Sequence, residues 1–306
     1  MAIQNFIIHT HMGPFNFKDG GTVVQYLLCK ILEDYGKTAR IYSNVKIANS
    51  IFSKYYENDF PIDDNCIVIY CEGIQGNPLN APKVVRWMLS ELGQNVPKEF
   101  VNTWSKNELV YYFNSELKFY QEPEKLNNIF KLLNVLYINP YAKNINPNVR
   151  KGFCHTFRKA LQIHGEITHI HPKNSFEITR EHTQMQCIAL FNKYKYFITY
   201  DPLTFLSVIA ALCGCISIVY KVKGLSKQDW IKTTVAKEFL DYRGYNNLFG
   251  IAYGLEDIPF AESTLHLAPQ QWRNILNYCK EKTVLPFIND MENFGNMVNT
   301  IQNNYF

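Results

Sequence analysis

Tyr200, Asp201 and Thr204 sit in a turn between two apolar stretches, within the segment YFITYDPLTFLSVIAALCGCISIV at residues 196–219. The run before the turn fits a short strand. The run after it fits a small-residue helix stopped at Gly214, and a second apolar strand follows. A turn of this kind sets polar side chains at the carboxyl end of a strand and the amino end of a helix, where open α/β sheets bind ligands. The unpaired N–H groups and positive dipole end expected there suit a phosphate or diphosphate. The expected ligand therefore carries a nucleotide.

Other residues have types and spacings suited to chemistry. In Lys18-Asp19-Gly20-Gly21-Thr22 the paired glycines would let a ligand approach the backbone just before a helix. The loop is not G-x-G-x-x-G, so the dinucleotide fingerprint is absent. His9 and His11 are two apart at the end of an expected strand, and His169 and His171 repeat the spacing. Neither pair has a clear third metal ligand, so an acid, base or hydroxyl-contacting role is expected and no metal site. Glu72 follows an apolar strand, where a carboxylate can act as a base or bind hydroxyls. Arg150, Lys151, Arg158 and Lys159 form a basic group that could neutralise a diphosphate.

The elements that must position these residues alternate. Strands are expected at residues 4–10, 38–42, 66–71, 108–113 and 135–138, with helices from Thr22 to Gly36 and over 83–92. The turn-rich stretch NPYAKNINPN reads as a linker. A second series follows: a helix or strand at 153–163, a strand near 166–171, a helix at 180–195, strands at 196–200 and 215–220 around a helix at 203–213, and a helix at 269–282. A break at Pro286 precedes a last helix to Phe306, whose Met291, Phe294, Met297, Val298 and Ile301 fall at helical spacing and suit docking on a core. Two consecutive βα series predict an α/β protein with two Rossmann-like lobes facing across a cleft. The expected division is 1–139 with the helix 286–306 packing back on it, and 140–285.

Composition sets bounds. The chain has 306 residues, 47% hydrophobic, with a net charge of +4, compatible with an anionic small molecule and too weak to argue for nucleic acid. The eight cysteines form no C-x-x-C pair, and Cys29, Cys66, Cys71, Cys187, Cys213 and Cys215 read as buried thiols of a reducing compartment. No apolar run approaches the ~20 residues of a membrane span, and MAIQNFIIHT lacks the features of a signal peptide. A cytoplasmic protein without a transmembrane segment is expected.

Taken together, Gly20-Gly21, the early basic pair of the second series and YDPLTFLSVIAALCGC resemble a GT-B glycosyltransferase. GNPLNAPKVVRW at 76–87, YDPLTFLSVIAALCGCISIV at 200–219 and GIAYG at 250–254 resemble the small, poorly characterised bacterial and viral members. Asp201 matches the first acid of the family's late motif and Gly214 its glycine, whereas Ile209 stands where a glutamate is usual. The resemblance implies transfer of a sugar from a nucleoside-diphosphate sugar to a glycan, polysaccharide or glycoprotein, with no obligatory metal or other cofactor. On it, the second lobe holds the donor. Lys151 and Arg158 take the diphosphate, Thr204 and Ser207 give hydroxyls beside Tyr200, and Asp201 contacts the sugar, while Gly20 and Gly21 complete the donor set. His11, Asp19 and Glu72 are the candidates for acceptor contact or the base. A nucleotide-sugar epimerase, or a catalytically inactive glycan-binding protein of the same fold, are the alternatives.

Overall fold

The computed structural model describes residues 5–10, 19–43, 53–115, 131–146 and 150–303, with the backbone alone described for residue 53 and for 299–303. The chain divides into two units: residues 1–137 with 278–306, and residues 138–277. The sequence placed these crossings at 139/140 and 285/286.

The first unit is built on a parallel sheet of six strands: β1 (Asn5–Thr10), β2 (Thr38–Ser43), β3 (Cys66–Cys71), β4 (Val84–Met88), β5 (Leu109–Tyr112) and β6 (Lys131–Leu132), in the order β2-β1-β3-β4-β5-β6. Helix α1 (Gly20–Asp34) joins β1 to β2. All six residues of β3 and all five of β4 are buried, as expected of parallel strands covered on both faces. Side chains alternate between two cores. Phe6, Ile8, Ile67, Ile69, Val85 and Trp87 pack with α1 and with the C-terminal helices, while Ile7, Val68, Tyr70 and Val84 face the loop that carries Ile74 and Ala81.

Two expectations fail within this sheet. Residues 83–92, read as a helix, instead contain β4. Val84-Val85 is β-branched and the run is buried throughout, and short apolar runs of this kind do not reveal their period. The strand expected at 135–138 is absent. Pairing occurs at Lys131–Leu132, after which the Asn134 N–H donates to Thr283 Oγ1 (3.1 Å) and its carbonyl accepts from the same hydroxyl (3.1 Å). A side chain thus satisfies the backbone that a ladder would otherwise serve.

The second unit holds a parallel sheet of five strands, β7 (Phe153–Thr156), β8 (Phe176–Glu177), β9 (Tyr196–Thr199), β10 (Ile216–Val219) and β11 (Ile251–Tyr253), in the order β11-β10-β9-β7-β8. Around it run α2 (Ala160–His164), α3 (Gln184–Lys193), α4 (Leu206–Leu212), α5 (Lys227–Lys232), α6 (Lys237–Arg243), α7 (Ile258–Thr264) and α8 (Ala268–Cys279). No strand forms at 166–171. The N–H groups of Ile170 and His171 donate to the Tyr200 hydroxyl (2.7 and 3.3 Å), which fixes that stretch as a loop.

The chain returns to the first unit through a π-helical turn, Lys280–Val284, then α9 (Leu285–Glu292) and α10 (Phe294–Asn303). The break expected at Pro286 is not there. The proline falls in the first turn of α9, directly after the π-helical turn, and the helical path is interrupted at Asn293 instead. Val284, Phe287, Ile288, Met291 and Phe294 enter the core of the first unit, with Met297 and Val298 packed against it. The side chain of Ile301 lies outside the described residues. Asp290 fastens the return by accepting from the Tyr111 hydroxyl and Lys131 Nζ, both at 2.6 Å.

Candidate functional site

Counted within each unit, the sheets run 2-1-3-4-5, with a sixth strand extending the first. In that topology the connections leave in opposite directions from the first and third strands, and ligands bind beyond the carboxyl ends of those two. In the second unit these are β7 and β9, whose last paired residues are Thr156 and Thr199. Two residues beyond each lie Arg158 and Asp201.

Arg158 adopts φ = 47°, a left-handed conformation that side chains disfavour by about 1–2 kcal/mol. Its Nε is buried without a hydrogen-bond partner, and its guanidinium forms no hydrogen bond or ion pair among the described residues. Strained backbone with an unspent cation is characteristic of a site that binds something.

The Asp201 turn is held from several sides. Thr199 Oγ1 accepts the Asp201 N–H (3.1 Å) and donates to its carbonyl (2.9 Å), and Asp201 Oδ1 accepts from the Leu203 N–H (3.1 Å). Trp230, stacked on Tyr253 at 5.0 Å, donates Nε1–H to the Pro202 carbonyl (2.9 Å). His164 Nε2 donates to the Tyr200 carbonyl (2.8 Å). Asp201 itself is only 6% exposed, and its Oδ2 accepts no hydrogen bond among the described residues.

The structure departs from the expected diphosphate cradle here. Helix α4 starts at Leu206, not at residue 203, and the N–H groups of Thr204, Leu206 and Ser207 turn inward to Asp201 O, Thr204 Oγ1 and Thr204 O (3.3, 3.4 and 3.3 Å). Tyr200 is fully buried, its hydroxyl donating to His171 Nδ1 (2.8 Å). Ser207 is buried with its Oγ unpartnered, and Thr204 is half-buried beside it. Ile209, where the resembled family carries a glutamate, is core.

The basic group does not converge. Lys151 precedes β7 and Arg158 follows it, and the four residues of the strand alone span about 13 Å. Arg150 is committed elsewhere. Its guanidinium donates to the Phe191 and Cys213 carbonyls and to Asn144 Oδ1 (2.6 Å) and Asn192 Oδ1 (3.1 Å). Burial lowers its pKa. Only Lys159, exposed and next in sequence, accompanies Arg158.

In the first unit Asp19 caps α1. Its Oδ1 accepts from the Gly21 N–H (3.0 Å) and its Oδ2 from the Thr22 hydroxyl (2.6 Å). A carboxylate already answers the dipole at that helix end, which disfavours an added anion beside Gly20 and Gly21. Glu72 is buried at the end of β3, accepting from the Leu89 N–H (2.9 Å) and the Ser90 hydroxyl (2.5 Å). It ties β3 to the chain leaving β4. His11 lies outside the described residues.

One cluster escaped the sequence reading. His155, on β7, stacks on His171 at 3.7 Å and 9°, and His171 stacks on His169 at 5.0 Å. His155 Nδ1 meets Ser175 Oγ at 2.9 Å. The pair His169/His171 was visible as a motif, but His155 sat unmarked in an apolar run. Among the described residues no group of three or more His, Cys, Asp or Glu side chains is disposed to hold a metal ion. All eight cysteines are buried and unpaired as disulfides, and no helix of the described residues is long and apolar enough to cross a membrane.

Burial, then the neighbouring His171 and His169, push the His155 pKa down to about 4. The unfolded chain, with an imidazole near pH 6.5, therefore binds more protons than the fold between those values. Stability from this group is complete above pH 6.5 and is lost as pH falls towards 4. We expect a loss on the order of 2 kcal/mol, discounted for solvent screening. Urea denaturation at pH 7.5 and 4.5 should show that slope, and His155→Gln should flatten it. An unchanged slope in the variant would assign the acid sensitivity elsewhere.

No protein-family model matches this chain, and no curated protein sequence matches it. The functional reading therefore rests on topology and on the residues at the strand ends.

Proposed function

We propose that the protein is a glycosyltransferase of the GT-B type that uses a nucleoside-diphosphate sugar, the second unit taking the diphosphate at Arg158. The observation that carries this reading is the unspent Arg158 guanidinium, held in a left-handed backbone at the β7/β9 switch point, two residues past β7 as Asp201 is two residues past β9. A guanidinium there forms bidentate bonds to phosphate oxygens and stabilises the departing diphosphate. Asp201 Oδ2 accepts from a donor sugar hydroxyl. An acceptor hydroxyl on a glycan or glycoprotein then attacks an oxocarbenium-like centre, and the proton leaves to a base. The α4 N–H groups and Lys151 drop out of the donor set for the geometric reasons given above.

Thermal-shift measurements with UDP, GDP, dTDP and CMP test the reading, because a ligand bound only by the fold raises its melting temperature. One nucleoside diphosphate should raise it by several degrees. Arg158→Gly should do two opposite things. Relief of the left-handed strain should stabilise the free protein by about 0.5–1 kcal/mol, while loss of a charge-assisted contact should weaken nucleotide binding by about 1.5–3 kcal/mol. A variant that is destabilised, or that binds nucleotide as well as the parent, overturns the assignment.

Ile209 favours a second reading, a glycan-binding protein without transfer activity, since the core side chain leaves no acid for a ribose contact. The absence of a response to all four nucleotides would select it.

A further inference from the structure

The loop 165–175, between α2 and β8, is fastened to the carboxyl ends of β7, β9 and β10. The Ile170 and His171 N–H groups donate to the Tyr200 hydroxyl, and the Thr168 N–H donates to the Tyr220 hydroxyl (3.4 Å). His169 lies against Phe157, with ring centres 5.2 Å apart. Phe157, Tyr200 and Tyr220 each stand one residue past a strand.

One hydroxyl decides the charge this loop can carry. A hydroxyl oxygen offers two lone pairs and one proton. At Tyr200 both lone pairs are taken by the two N–H groups, so the proton goes to His171 Nδ1 at 2.8 Å. Nδ1 is therefore bare, and His171 is neutral with its proton on Nε2. A proton added at Nδ1 would face a donor and break the third bond.

The groups around His171 mostly oppose that proton as well. It stacks on His155 of β7 and on His169 of its own loop. From α2, His164 spends its Nε2 on the Tyr200 carbonyl and sets its ring against Tyr220. Glu177 of β8 favours the charge, yet burial and then His169 hold the His171 pKa below the ordinary imidazole value. His155 is covered by His171, and its Nδ1 meets Ser175 of the same loop. It too takes a proton more readily once the loop lifts.

The loop bears on the strand ends through rings. Phe157 stacks on Tyr200 at 4.9 Å, and His169 and His171 pack against both. Arg158 and Asp201 follow these two residues directly. The left-handed backbone of Arg158 persists only while its surroundings impose it. Lifting the loop strips the histidine rings from Phe157 and frees that backbone.

We propose that loop 165–175 is a proton-released strap: neutral His171 ties it to Tyr200 and fixes the strand ends that carry Arg158 and Asp201, and acid lifts it. Its coupling to a ligand rests on the diphosphate reading above, whereas the strap itself does not.

Amide exchange at Ile170 and His171, corrected for the intrinsic effect of pH, tests the strap without any ligand. An imidazole that titrates near pH 6.5 only in the lifted loop removes about tenfold of protection between pH 7.5 and 5.5. His171→Asn keeps an acceptor near the Nδ1 position and takes no proton, so it should lose about five- to tenfold less protection than the parent over that range. Tyr200→Phe should expose both amides even at pH 7.5, and if that buried change unfolds the unit, His171→Asn decides alone. The same pH dependence in parent and His171→Asn, or a folded Tyr200→Phe with both amides still protected, would overturn the strap. Coupling is read with whichever of UDP, GDP, dTDP and CMP raises the melting temperature. At pH 5.5 and about a hundredfold excess over its Kd, it should raise protection at Ile170 about a hundredfold. Protection unmoved by a bound nucleotide would overturn the coupling. A protein that binds none of the four loses the diphosphate reading, while exchange still decides the strap.

Discussion

Glu108→Ala should destabilise the first unit by about 3–5 kcal/mol, a large part of the roughly 5–15 kcal/mol that holds a typical protein folded. Arg86 is fully buried, its Nε 2.5 Å from Glu108 Oε2, and its guanidinium lies 4.8 Å from the Tyr70 ring centre and 4.9 Å from that of Trp104. Without the carboxylate a cation is left inside a low-dielectric core, held only by the Ile74 and Gly76 carbonyls and two rings. The charge can neither leave nor be hydrated cheaply. The double variant Arg86→Met/Glu108→Leu should recover most of the loss, because a buried pair replaced by apolar groups is often neutral. It should not restore the 73–79 loop, whose carbonyls would lose their donors. Urea denaturation followed by tryptophan fluorescence reads the first effect, and amide exchange at Ile74–Leu79 reads the second. A loss below 1 kcal/mol in the single variant would mean that water reaches Arg86.

Gly214→Ala should cost about 3 kcal/mol or more. The residue sits at φ = +82°, and an added Cβ would fall 2.6 Å from Asn144 Nδ2 and 3.1 Å from an Arg150 guanidinium nitrogen. The left-handed backbone accounts for about 1–2 kcal/mol. The remainder comes from pushing apart the Arg150 bonds that join the ends of α3 and α4 to the 144–146 loop. Gly244→Ala is the matched control in the same unit: φ is +67° with open space around it, so only the backbone term, about 1 kcal/mol, should appear. Equal losses in the two variants would show that the Arg150 network yields without cost.

The contrast between these two glycines shows where sequence stops being informative. A stop after a small-residue helix announces Gly214, but the contact that makes it irreplaceable comes from Asn144 and Arg150, 70 and 64 positions away by subtraction. The strands β1, β3, β9 and β10 were legible because each is a continuous apolar run ended by turn residues. The strand β4 was not, since so short a run does not reveal its period, and the arginine within it makes sense in a core only once Glu108 is seen beside it. The Asp201 turn was also readable. Lys151 and Arg158 were grouped because they are close along the chain, yet an intervening strand sends them to opposite ends of the sheet. His155 gave no signal at all, because its partners arrive from a loop at 169–175.

The return of the chain at Tyr278 carries a consequence for how the molecule is made. The second unit is an insertion, with all of its sequence synthesised before the helices that close the first unit. Because domains complete themselves as they emerge from the ribosome, the earlier strands must wait with one face covered only in part, by α1. Phe287, Ile288 and Met291 are among the last pieces of that core to be delivered. Asp290, meeting Tyr111 and Lys131, is then the latch on a sheet begun at Asn5, 285 residues before it.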